Sequence, residues 1–374
     1  MKLNFPRNSF ATYMEHICID HIEPSWKSKN LFVVNDLHEV FALDALTTSH
    51  KISIEVSNPD QINEIFDSIS YSKGASIIRS MENFITTSVF KQGLSSYLKK
   101  FSYQSATQDD LWEALTLEAR KAGIFDETMS VKEIMDGWTL HTGFPYITVT
   151  RNYEEDNKIN LEQRRFILME TNSTVQEGKQ NKVDGKEPLW WVPITYTTRS
   201  RSNFTNTRPS HWMKAEKNIV IEDDDVSVSD WLIVNLQVTG YYRVNYDKKN
   251  WQLIINQLMD PRQFHKIAQS NRAQLIDDAM NLARAEILDY TIALDVTKYL
   301  NHETDYVPWK AAVNNLQYID SMLIRTPDYD KMKVSRAQFT SESFSCSPGA
   351  MTDYDQSLTS RNESVTSSEQ SPVT

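Results

Sequence analysis

FDSISYSKGASIIRSMENFI, residues 66–85, changes character halfway along. From Asp67 to Lys73 only Ile69 and Tyr71 break a polar run. Gly74 follows, and then Ile77, Ile78, Met81 and Ile85 recur at the spacing of one helix face. The stretch predicts an amphipathic helix with a polar first turn, and Tyr71 sits at the boundary. Either Tyr71 is a packed or capping residue, or its phenol is presented to a ligand, where it can donate a hydrogen bond to a developing oxyanion. Spacing alone leaves both readings open.

Working outward, residues 1–141 read as helical. Asn58-Pro59-Asp60 predicts a helix start, with Asn as cap and Pro in the first helical position. Thr107-x-x-Asp110 predicts a capping box ahead of DLWEALTLEARKAG, which Gly123 ends. Ser130-x-x-Glu133 opens another short helix. After Gly143-Phe144-Pro145 the period drops to two. YITVTRNY, INLEQRRFIL, LWWVPITYTT, KNIVIE and DWLIVNLQV predict strands of a small β-sandwich over 142–238. Helices return from 239 to 333, with a break expected near Leu288-Asp289-Tyr290 and a helical repeat array as the expected architecture. Residues 334–374 are rich in Ser and Thr, lack an apolar pattern and are expected to be disordered.

The chain has 374 residues, enough for several domains, and 40% of them are hydrophobic, enough for packed cores. A net charge of −11 with no basic run argues against nucleic acid as a partner, because phosphate binding needs clustered Lys and Arg. Two cysteines, Cys18 and Cys346, make neither a disulfide framework nor a metal spacing. No run is long and apolar enough for a membrane span, and the N-terminus lacks the apolar core of a signal peptide. N-x-S/T triplets occur at Asn172, Asn203 and Asn362.

Metal-ligand spacings fail. His38-Glu39 begins like a zincin motif, but Ala42 stands where the second His belongs, so the pair reads as polar residues on a helix surface. Glu15, His16 and His21 are spaced so that the two imidazoles point away from each other on a helix. Gly-rich phosphate loops and G-x-S-x-G are absent from the sequence.

NPDQINEIFDSISYSKGASIIRSMENFI resembles the zinc aminopeptidases of the aminopeptidase N family, which carry a tyrosine in an I-S-Y-x-K-G-A context. FATYMEHICIDHIEPSWKSKNLFVVNDLHEVFALDAL is similar to the family segment after the third zinc ligand. GYYRVNYDKKNW and RAQLIDDAMNLARAEILDYTIALDVTKYL resemble the start of its C-terminal helical domain. The resemblance runs in order from about residue 9 to 325. It implies a multidomain α+β fold: the helical C-terminal half of a thermolysin-like catalytic domain (1–141), a small β-sandwich (142–238), then an α-helical superhelical domain (239–333). It also implies peptides as substrates, zinc as cofactor, and Tyr71 as the donor to the oxyanion of the tetrahedral intermediate.

The sequence departs from the family pattern at the metal. Arg7-Asn8-Ser9-Phe10-Ala11-Thr12-Tyr13 places Asn8 where the family has its third ligand, a Glu, and neither HExxH nor the G-x-M-E-N amine loop occurs. On the resemblance, those two motifs fall upstream of Met1. The family zinc lowers the pKa of a bound water to about 7, and a phenol donor only supplements that chemistry. The expectation is therefore an aminopeptidase N-like chain that holds no metal and is inactive by itself. One alternative is a non-catalytic peptide- or protein-binding module that associates with an intact relative. Another is that the sequence is part of an ordinary zinc aminopeptidase. Residues 1–57 are expected to be marginally ordered, with Phe10, Tyr13, Ile17 and Phe32 losing part of their burial. Family members are membrane-anchored, secreted or cytosolic, and the sequence does not choose among these.

Overall fold

In the structure, a computed structural model that describes residues 6–54, 66–153, 158–168, 187–327 and 329, the local helix signals act as read. Helix α1 spans Pro6–Ile22, α2 Ser28–Phe32 and α3 His38–Asp44, with a π-helical turn over Val33–Leu37 between the last two. A second π turn, Ile69–Lys73, runs into α4, Gly74–Ile85. Then follow α5 (Thr87–Lys100), α6 (Gln108–Lys121) and α7 (Val131–Leu140). Thr107 and Asp110 close the capping box before α6, and the Ser130 hydroxyl accepts from the Glu133 amide before α7. Gly123 stops the chain beyond α6 with φ of +68°, a conformation that favours glycine. The helix start read at Asn58-Pro59-Asp60 and the tail from 334 lie outside the described residues.

Eight strands follow among the described residues. Strands β1 (Pro145–Arg151), β2 (Lys158–Arg165), β6 (Asn218–Glu222) and β8 (Arg243–Tyr246) form one sheet in the order β6-β2-β1-β8. Strand β1 pairs antiparallel with β2 and parallel with β8. Strand β3 (Trp191–Ile194) pairs with β5 (His211–Lys214), and β4 (Tyr196–Thr198) with β7 (Leu232–Val234). Ile147 and Val149 of β1 are buried and alternate with more open threonines, as the period-two pattern requires.

The structure corrects three strand readings. LWWVPITYTT is two strands, because the backbone and hydroxyl of Thr195 leave the ladder to take the amides of Asn235 and Leu236. DWLIVNLQV ends as a strand at Val234. Asn235, Gln237 and Val238 have positive φ, and the Asn235 side chain holds that turn by bonding Gly240 through both its oxygen and its nitrogen. The sheet also extends past 238, where helices were expected to resume. In β8, Arg243 and Asn245 are polar yet buried, matched by Asp277, Asp278 and the Trp251 indole, so the segment does not look like a strand.

Helices α8 (Lys248–Met259), α9 (Gln269–Arg284), α10 (Tyr290–Thr297) and α11 (Tyr306–Leu323) complete the described chain. The expected break falls between Arg284 and Asp289, with Glu286 at φ of +59° and Asp289 capping α10. Helix α9 packs on α10, α11 and β8 and is buried along most of its length. One hydrophobic core runs from Tyr13 through the sheet to Ala312. Tyr13 and Phe32 are 5% and 1% exposed, so these two keep the burial that the sequence reading expected them to lose in part. Among the described residues no helix is long and apolar enough to cross a membrane.

Candidate active-site wall around Tyr71

Tyr71 lies in the middle of the Ile69–Lys73 π turn, half-buried, with its ring 6.3 Å from that of Phe66. A π turn adds a residue to the helical repeat and re-aims the side chains it carries, and such turns gather at functional sites. Here the neighbours of Tyr71 are tied down. The Ser70 amide donates to Asp67 at 3.1 Å, and the Ser70 carbonyl accepts the Ser9 hydroxyl at 2.8 Å. Ser72 donates to Asp36 at 3.0 Å. Lys73 turns inward to the Asp44 carboxylate at 2.9 Å and the Gly143 carbonyl at 3.0 Å. The Tyr71 hydroxyl, by contrast, makes no hydrogen bond among the described residues. The polar first turn is therefore a clamp on both sides of a phenol that is unbonded among the described residues.

Asp44 is the centre of that clamp. Besides Lys73 it accepts the Ser49 hydroxyl at 2.6 Å, the Gly143 amide at 3.1 Å and the Tyr241 phenol at 3.2 Å. Lys73 and Asp44 are both fully buried. Burial pushes the Lys73 ammonium below its usual range, and the charge of Asp44 opposes this. Neither residue was singled out from sequence. Lys73 sits in a polar run that reads as solvated. The signal that could have found Asp44 is one acid inside the apolar run Val40-Phe41-Ala42-Leu43-Asp44-Ala45-Leu46.

A second group of polar side chains braces the same wall. His16 bonds Asp36 at 2.9 Å through Nε2 and the Ser28 hydroxyl at 2.9 Å through Nδ1. Burial lowers the His16 pKa, but the hydrogen bond and charge of Asp36 outweigh it and the net shift is upward. Tyr13 bonds Glu82, and burial with the adjacent carboxylate raises its pKa. Arg79 donates to the carbonyls of Gln237 and Val238, which fastens α4 to the turn after β7.

Zinc, which the resemblance implies, takes three protein ligands from His, Cys, Asp and Glu in a catalytic site. Asn8 lies on α1 beside Ser9, so its turn of helix abuts the turn carrying Tyr71. An Asn amide is a weak neutral ligand beside a carboxylate. Glu15 and His21 are exposed, while His16 is engaged by Asp36 and Ser28. His38 is not on a helix surface as expected. It is 6% exposed and bonds Gln274 at 2.9 Å, because α9 packs over α3 at that point, while Glu39 faces out. Among the described residues no group of three or more His, Cys, Asp or Glu is placed to hold a metal. The described donors do not fit a zinc site.

Comparison with known proteins agrees with this anatomy at both ends. The family model described as the peptidase family M1 domain matches residues 5–138, and that of the ERAP1-like C-terminal domain matches 231–362. The chain is 43% identical to aminopeptidase N of Bos taurus over 329 residues, 87% of this chain and 32% of that protein. It is 42% identical to aminopeptidase Ey of Gallus gallus over 326 residues, 86% of this chain and 32% of that one. It is 38% identical to the thyrotropin-releasing hormone-degrading ectoenzyme of Homo sapiens over 327 residues, 87% of this chain and 29% of that one. The chain spans about a third of the length of these curated relatives. These matches place the chain in the aminopeptidase N family.

Proposed function

We propose that this chain forms the oxyanion side of an aminopeptidase N-type site, with Tyr71 as the donor. We further propose that the chain alone does not release N-terminal amino acids from peptides, the reaction of the family. The observation that carries the reading is the Tyr71 hydroxyl, unbonded among the described residues, on a turn whose flanking residues are tethered. A donor held in advance of the reaction costs no reorganisation when charge develops, and one such donor is worth about 10²–10³ in rate. That factor multiplies the chemistry of a metal-bound water, and the described residues supply no ligand set for it. The domain roles implied by the resemblance, a partial thermolysin-like domain, a sandwich and a superhelical start, belong to the same proposal. One relative is by name an ectoenzyme, and we extend an extracytoplasmic setting to this chain.

The purified chain is expected to hold no stoichiometric zinc and to leave alanyl and leucyl chromogenic amides intact. One equivalent of tightly held zinc, with chelator-reversible turnover lost on Tyr71→Phe, would overturn the inactive reading. A second reading is favoured by the exposed apolar residues of the N-terminal third. Ile22 is 80% exposed, Trp26 64% and Phe66 51%. Such surface suits the docking of further protein, either another part of the family fold or an intact relative.

A further inference from the structure

The Asn203-Phe204-Thr205 triplet lies in the loop between β4 and β5, and the triplets at Asn172 and Asn362 lie outside the described residues. We propose that Asn203 is an N-glycosylation acceptor. This inference rests on the extracytoplasmic setting proposed above. The geometry of the loop carries the choice of residue. Asn203 and Thr205 are exposed, while Phe204 between them is buried, its ring centroid 6.2 Å from that of Trp231. The Phe204 carbonyl accepts from the Gln237 side-chain Nε2 at 2.9 Å, and the Asn203 backbone amide donates to the Thr197 hydroxyl at 3.1 Å. The middle residue thus pins the triplet to Trp231 and Gln237, and its two functional side chains are exposed.

Those two side chains are already paired with each other. The Asn203 Oδ1 accepts from the Thr205 amide at 3.0 Å and from the Thr205 hydroxyl at 2.8 Å. This is an Asx turn, in which both donors fix the carboxamide oxygen and leave the nitrogen outward. The Asn203 nitrogen makes no hydrogen bond among the described residues. Three residues on, Asn206 makes the same kind of backbone turn, accepting from the Arg208 amide at 3.4 Å, but position 208 has no hydroxyl. The loop therefore contains an acceptor and its own comparison.

The donor is an oligosaccharide joined through its anomeric carbon to a lipid diphosphate, presented by a transferase. The Asn203 nitrogen attacks that carbon and forms the N–C bond. The C–O bond to the diphosphate breaks, the lipid diphosphate leaves with the bonding electrons, and one amide proton passes to a base on the transferase. A glycan here stands on solvent-facing atoms and displaces no core residue.

The test is to translate the full chain behind a secretory leader into microsomes and keep only protease-protected product. Peptide 202–214, which contains both Asn203 and Asn206, is then read after enzymatic deglycosylation in heavy-oxygen water. The expected result is labelled Asp at 203 and unlabelled Asn at 206. The label is lost in Asn203→Gln and in Thr205→Ala and returns in Thr205→Ser. Protected chain that is bare at Asn203 overturns the proposal. A chain that is labelled in microsomes but stays in the cytosol of its own cells overturns the extracytoplasmic setting and leaves the acceptor assignment standing.

Discussion

Lys73 and Arg243 each bury a cation where helices meet the sheet, and the two clusters settle their charge differently. Lys73 meets one carboxylate, Asp44, whose oxygens also accept from Ser49, the Gly143 amide and Tyr241. Arg243 meets two carboxylates, Asp277 at 2.5 Å and Asp278 at 3.0 Å, and its own Nε has no partner among the described residues. Nearby, the buried His38 Nδ1 makes no hydrogen bond among the described residues and lies 3.9 Å from Asp277. Burial pushes Asp278 up to about 7, against the pull of Arg243, and Asp277 beside it adds to the rise. A one-to-one cluster needs no proton to balance its charge, whereas a cluster with a surplus carboxylate takes one up. The first lies under Tyr71 and the second under the helical part, beside a cavity of about 420 Å³ lined by His38, Arg243, Arg284 and Tyr318.

The largest expected effect comes from breaking the balanced cluster. Lys73→Met leaves the buried Asp44 carboxylate without its cation, so urea unfolding should show a loss of about 3–5 kcal/mol. Lys73→Met with Asp44→Asn should recover part of it. A single variant as stable as the parent would remove the pair from its role as anchor.

The surplus cluster should instead show itself in pH dependence. Folded Asp278 keeps its proton up to about pH 7, while the unfolded residue loses it near pH 4. Between those values the folded chain binds more protons at this site, so its contribution to stability falls as pH rises. Asp278→Asn removes that slope, and its stability relative to the parent should grow from pH 5 to pH 8. Buried His38 works in the opposite sense. Burial lowers its pKa, so below about 6.5 the unfolded state binds more protons and stability is lost as pH falls. A variant-minus-parent difference that is flat with pH would show that Asp278 is ionised throughout.

An exposed carboxylate sets the lower end of the scale. Asp110 closes its capping box in water, with Thr107 as the partner. Thr107→Ala should cost about 1 kcal/mol. A cost equal to that of Lys73→Met would erase the distinction between buried and exposed clusters.

The sequence exposed what local rules govern. The α4 stripe, the caps at Thr107 and Ser130 and the break near Asp289 all follow from residues within one or two turns of each other. What it concealed depends on partners far along the chain. Lys73 looks solvated until Asp44 and Gly143 are placed against it. Arg243 and Asn245 look unlike a strand until Asp277, Asp278 and Trp251 take up their polar groups. His38 looks like a surface residue until Gln274 of α9 covers it.

The most direct test of Tyr71 as an oxyanion donor is a chimera. Residues 6–323 of this chain replace the matching segment of bovine aminopeptidase N, with Asn8→Glu to supply the family ligand. With Asn8 retained, the chimera should lack tightly held zinc. With Asn8→Glu it should hydrolyse alanyl amides, and adding Tyr71→Phe should lower kcat by about 10²–10³ with a smaller effect on KM, because the phenol acts on the transition state. Turnover in the Asn8→Glu chimera that is indifferent to Tyr71→Phe would contradict the account.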